Sequence, residues 1–126
     1  MAEFRILVSS ADPALARFVG EALPGGGFEV LPGCLPKDLV EVVLDQSPDL
    51  LLFEADRKHG SPAETLRIVR KVRPELRIVA LSSESCPEDA DLVEVGLFYY
   101  ATRPVGSDLI QVIQAAARSQ GVRRHP

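Results

Sequence analysis

Two periodicities alternate along this chain. Short apolar runs with strand character lie at Phe4–Ser9, Phe28–Leu31, Asp49–Glu54, Leu76–Ser82 and Leu97–Ala101. Between them apolar residues recur every three or four positions, the spacing of one helix face. Leu15, Phe18, Val19, Ala22 and Leu23 form the first such stripe, with Asp12 suited to its N-cap and Pro13 to its first turn. Pro24-Gly25-Gly26-Gly27 ends it. A second helix is predicted from about Pro36 to Gln46, burying Leu39, Val42 and Val43. The third opens on Ser61-Pro62-Ala63-Glu64, a capping box with proline at the first helical position. It buries Leu66, Val69 and Val72 and stops before Pro74. Ser85-Cys86-Pro87-Glu88 opens a fourth in the same way, running to about Gly96. The last follows Ser107 and buries Leu109, Val112, Ile113 and Ala116.

Strands alternating with helices predict an α/β fold, a parallel sheet covered on both faces. Leu50-Leu51-Leu52-Phe53 and Ile78-Val79-Ala80-Leu81 are apolar at every position, as strands buried on both sides must be. Right-handed crossovers and doubly wound connections complete that architecture. Functional residues of such sheets collect at the carboxyl ends of the strands. The positions to read are therefore Ser9 to Asp12, Glu54 to Asp56, Ser82 with Ser83, and Thr102 to Pro104.

Length and composition narrow the picture further. One domain accounts for 126 residues, expected over 1–120, with 121–126 as a tail or linker stub. No apolar run reaches the roughly 18 residues of a membrane helix, and no export leader is visible at Met1 to Arg5, so the expectation is a cytoplasmic protein without membrane contact. Cys34 and Cys86 lack metal-ligand spacing and are expected as reduced thiols. A net charge of −4 argues against direct nucleic-acid binding, which needs clustered cations. The cluster Arg118, Arg123, Arg124 and His125 reads as a solvated tail or a linker stub. Gly25-Gly26-Gly27 precedes a strand, not a helix, and fails as a nucleotide fingerprint. Asp56 and His59 are wrongly spaced for a cobalamin loop, and two histidines assemble no hydrolytic triad. An enzyme is not expected.

Four segments, in order, carry a family resemblance. Ile6-Leu7-Val8-Ser9-Ser10-Ala11-Asp12-Pro13-Ala14-Leu15 is similar to the opening strand and turn of response-regulator receiver domains. Pro48-Asp49-Leu50-Leu51-Leu52-Phe53-Glu54 resembles their strand that ends in the phosphorylated aspartate, and Ile78 to Ser83 the strand that ends in a hydroxyl residue. Tyr100-Ala101-Thr102-Arg103-Pro104 resembles their aromatic, hydrophobic, Thr, Lys, Pro signature. The resemblance implies a CheY-like, flavodoxin-like (βα)5 fold with strand order 2-1-3-4-5, and a bacterial-type two-component phosphorelay setting.

The family's chemistry does not carry over so well. Where its members hold magnesium with two acidic residues, this chain has Ser10 and Ala11. Magnesium needs oxygen ligands and carboxylate charge, so its binding is expected to be lost and no cofactor is expected. A one-residue slip would bring Asp12 to the metal position, but the helical stripe from Leu15 would then lose register. Glu54 stands where the family has its aspartyl nucleophile, with one more methylene, about 1.5 Å of reach. Ser82 keeps a hydroxyl, and Arg103 keeps the positive charge of the usual lysine. An ion pair between Glu54 and Arg103, with Ser82 donating to the carboxylate, is one expectation. Two solvated side chains are the other. Tyr100 matches the family's aromatic switch residue, and Arg103-Pro104 a peptide that is cis in the family.

These residues point to a pseudo-receiver, an interaction module that works without phosphorylation. It would bind a protein partner or itself through the surface of the fourth helix, fifth strand and fifth helix. The alternatives are a receiver phosphorylated on Glu54 and a flavodoxin-like domain that binds a small ligand near Ser9, Ser10 and Ser82.

Overall fold

The structure is a computed structural model. It describes residues 4–10, 13–23, 27–31, 38–55, 62–82, 99–102 and 107–123, without the side chains of 55, 82, 99–102, 107 and 119–123. The elements are β1 (Phe4–Ser9), α1 (Pro13–Ala22), β2 (Phe28–Leu31), α2 (Leu39–Gln46), β3 (Leu50–Ala55), α3 (Pro62–Val72), β4 (Arg77–Ser82), β5 (Tyr99–Thr102) and α4 (Ser107–Arg123). The strands form one sheet in the order β2-β1-β3-β4-β5, the expected doubly wound order. All four pairings are parallel.

Side chains of a strand alternate between faces, so each central strand feeds two cores. Ile6 and Val8 of β1, Leu50 and Leu52 of β3, and Val79 and Leu81 of β4 meet Leu15 and Val19 of α1 and Leu109, Ile113 and Ala116 of α4. Leu7, Leu51, Phe53 and Ile78 project the other way, against Leu39 and Val43 of α2 and Ala63, Leu66 and Val69 of α3. Each such fully buried leucine or isoleucine contributes roughly 1.5–3 kcal/mol of transfer free energy. Among the described residues no helix is long and apolar enough to cross a membrane.

The helical stripes hold with local corrections. Ala22 is exposed, because the first stripe follows Leu15, Val19 and Leu23 at strict four-residue spacing and leaves Ala22 beside it. Val42 and Val72 are half-buried at the borders of their stripes, whereas Pro62, Ala63 and Ile110 are buried. Asp49 lies before β3, not within it. Its carboxylate accepts the Arg5 amide at 2.8 Å, and its own amide donates to the Arg5 carbonyl, also at 2.8 Å. The described part of α2 starts at Leu39 after Asp38, which makes no side-chain cap; Pro36 lies outside the described residues. The last helix continues to Arg123, past the predicted domain end at 120. The predicted fourth helix, from Ser85 to Gly96, and the caps Asp12 and Ser61 lie outside the described residues.

The end of the sheet opposite the strand carboxyl termini is tied by polar bonds. The Arg5 guanidinium donates to the Gln46 carbonyl, to Gln46 Oε1 at 3.1 Å and to Glu29 Oε1 at 3.2 Å. Ser47 takes the left-handed conformation (φ 49°) that closes α2, and its amide donates to the Val43 carbonyl. Gly27 enters β2 at φ 89°, where a side chain would be strained, and its carbonyl accepts the Phe4 amide.

Candidate functional site

The carboxyl ends of β1 and β3 bring two polar side chains together. Ser9 pairs with Phe53, so Ser10, just past the end of β1, stands level with Glu54, the penultimate residue of β3. The two-residue period does the rest. Ser10 follows Ile6 and Val8, and Glu54 follows Leu50 and Leu52, all four of them in the core beneath α1 and α4. Both polar residues therefore emerge on that side of the sheet. Ser10 Oγ donates to Glu54 Oε1 at 2.5 Å, and both side chains are half-buried. A hydroxyl donating to a charged oxygen makes the short, strong kind of hydrogen bond.

The neighbouring strand ends add further backbone positions. Ser82 closes β4 in register with Ala55 of β3 and with Thr102 of β5. Tyr100 pairs with Ala80 one turn of the pleat below. The topology thus gathers Ser10, Glu54, Ser82 and Thr102 along one edge of the sheet, where doubly wound folds carry their sites. The side chains of Ser82 and Tyr100, and all of Ala11, Asp12, Arg103 and Pro104, lie outside the described residues. So do the ion pair of Glu54 with Arg103 and the Ser82 bond that would support it.

The sequence offered Ser10 as a replaced acidic position and as a hydroxyl for a small ligand, and missed it as a partner of Glu54. A signal for it existed: Ser10 and Glu54 occupy equivalent phases of two apolar alternations. Using that signal required knowing that β1 and β3 are neighbours and which residues pair.

Known structures match this fold over nearly the whole chain. A CheY-like response regulator receiver domain protein from Methanospirillum hungatei superposes with a TM-score of 0.86 and 21% identity, covering 97% of this chain and 99% of that one. The fold is that of a receiver domain. A receiver domain protein from Clostridium thermocellum follows with a TM-score of 0.77 and 22% identity, covering 94% and 97% of the two chains. A LuxR-family two-component response regulator from Aurantimonas gives 0.76 and 19%, covering 90% and 84%. In sequence, the chain is 27% identical over 121 residues to the DNA-binding transcriptional regulator NtrC of Azospirillum brasilense. That match takes in 94% of this chain, which spans about a quarter (25%) of the relative's length. No family model matches the chain.

Proposed function

We propose that this receiver fold serves a two-component response regulator as a pseudo-receiver, a protein-interaction module that works without being phosphorylated. The observation that carries the reading is the Ser10–Glu54 hydrogen bond at the strand ends. It engages the carboxylate at the acceptor-equivalent position with a neutral hydroxyl from the very position where the receiver family keeps a metal-binding acid.

The residues there do not suit a divalent cation. Ala11 has no side-chain ligand, and Ser10 is uncharged and turns its hydroxyl proton toward Glu54. With no fixed positive charge from an ion, nothing at these positions offsets the charge that builds on an incoming phosphoryl group. No phosphotransfer step is therefore assigned to Glu54, and the chain is read as neither an enzyme nor a metal protein. Its output on this reading is a protein contact, with another protein or with a second copy, through the face of the predicted fourth helix, β5 and α4. Direct nucleic-acid binding and membrane attachment are not part of it, and the setting is cytoplasmic. DNA binding is named for the much longer NtrC relative and is not carried over to this segment.

The test is intact-mass analysis after incubation with a small-molecule phosphodonor, alongside amide NMR during titration with magnesium and beryllofluoride. The expected results are an unchanged mass and unmoved resonances for Ser10 and Glu54. A stable phosphoryl adduct at Glu54, or saturable shifts around it, would overturn the reading in favour of a working phosphoreceiver.

A further inference from the structure

The outer surfaces of α2 and α3 carry opposite charge. Between Asp38 and Ser47, the acids Asp38, Glu41 and Asp45 are all exposed and there is no basic residue. On α3, by contrast, Arg67 and Lys71 are exposed beside a single exposed acid, Glu64, while Arg70 and Arg73 are half-buried and donate to the Pro74 and Leu76 carbonyls and to Ser47. Each helix also carries one large apolar residue left in solvent: Leu44 is 51% exposed and Ile68 50%. These two are the exposed large hydrophobics of the described residues.

The helices lie side by side on one face of the sheet, both packed into the core of Leu7, Leu51 and Phe53. Both follow parallel strands, so they run in the same direction. Their carboxyl ends are nearly level: Ser47 stands three residues before Leu50 and Arg73 four before Arg77, the two strand residues that pair, and Arg73 Nη2 reaches Ser47 Oγ at 3.0 Å. Counting back at about 1.5 Å per residue, Leu44 and Ile68 stand within roughly 3 Å of the same height. The face therefore reads across as acid with leucine, then base with isoleucine.

We infer that this α2–α3 face is a self-complementary docking surface for a second copy of the chain. A two-fold axis parallel to the helices lays α2 of each copy over α3 of the other. Glu41 then stands level with the partner's Arg67 and Asp45 with the partner's Lys71, Leu44 lies within roughly 3 Å of the height of the partner's Ile68, and the one like-charged pair, Asp38 with the partner's Glu64, falls at the amino ends of the helices. Such an isologous contact uses each patch twice and closes at the dimer. A rotation that stacked α2 on α2 would set acid against acid. The apolar centre is two side chains per copy, far short of a standard interface, so the dimer is weak and strongly dependent on salt. This surface lies across the sheet from α4, one element of the interaction face proposed above.

Sedimentation velocity over a wide concentration range, at low and high salt, tests the inference. Wild type is expected to self-associate at low salt and to weaken about tenfold or more in high salt. Asp45→Lys and Lys71→Glu each weaken the low-salt association about tenfold, since each reversal acts twice in the dimer, and the double variant, which swaps an opposed pair, restores it. Leu44→Ser abolishes it while circular dichroism and melting temperature stay unchanged. A strictly monomeric wild type would overturn the inference. So would an association indifferent to both charge reversals, which would instead point to the α4 side and leave the proposed function standing.

Discussion

Replacing Ser10 by alanine removes one oxygen and, with it, the donor at 2.5 Å from Glu54. Hydrogen bonds to charged groups contribute about 1.5–3 kcal/mol to stability. Half-burial of both side chains leaves water to compete for the freed carboxylate, which puts this bond at the low end, about 1.5 kcal/mol. For a domain of this size that corresponds to a melting temperature lower by roughly 5 °C. Both residues engage further groups, so the single variant mixes effects, and a double-mutant cycle isolates the pair. Urea unfolding of Ser10→Ala, Glu54→Ala and the double variant is the assay, with an unchanged m-value as the check that compactness is preserved. The expected coupling is at least about 1 kcal/mol, the second substitution costing little once the first is made. Additivity within about 0.5 kcal/mol would refute the claim that Ser10 holds Glu54. The pseudo-receiver reading would then lose the observation that carries it.

Other outcomes follow from the same structure. Leu52→Ala, at the centre of the sheet and fully buried, is expected to cost about 2–5 kcal/mol in urea unfolding, whereas Leu44→Ala, half in solvent, stays within about 1 kcal/mol. Gly27→Ala meets no neighbouring atom yet forces a side chain onto φ 89°, so a loss of about 1 kcal/mol or more is expected from backbone strain alone. Arg5→Met keeps the apolar stem but removes the bonds to Gln46 and Glu29; a melting temperature lower by several degrees, roughly 1–2 kcal/mol, is expected, with no change in the resonances of Ser10 and Glu54 at the far end of the sheet.

Much of this molecule is local and was therefore legible in the chain. Strand and helix identities follow from apolar spacing, because burial on a sheet repeats every two residues and on a helix every three to four. Leu50 to Phe53 announced a central strand, and Pro62 announced the start of α3, for reasons internal to each segment. The candidate site was legible as a set of strand-end positions, Ser10, Glu54 and Ser82 among them. The strand order came from the family resemblance and not from periodicity, since no local pattern states which strands are neighbours.

The tertiary structure decided what depends on residues far apart in the chain. That Ser10 bonds Glu54 follows from the pairing of Ser9 with Phe53, a relation across 44 positions that fixes both level and face. The pairing of Asp49 with the Arg5 backbone likewise took Asp49 out of the strand its apolar neighbours suggested. Ser47 in a left-handed turn, a conformation usually given to glycine or asparagine, is held where α2 ends beside α3 and Arg73 reaches its hydroxyl. Apolar spacing is written into each segment, whereas register, level and neighbour are properties of the packed sheet. The site, being made of neighbours, belongs to the second kind.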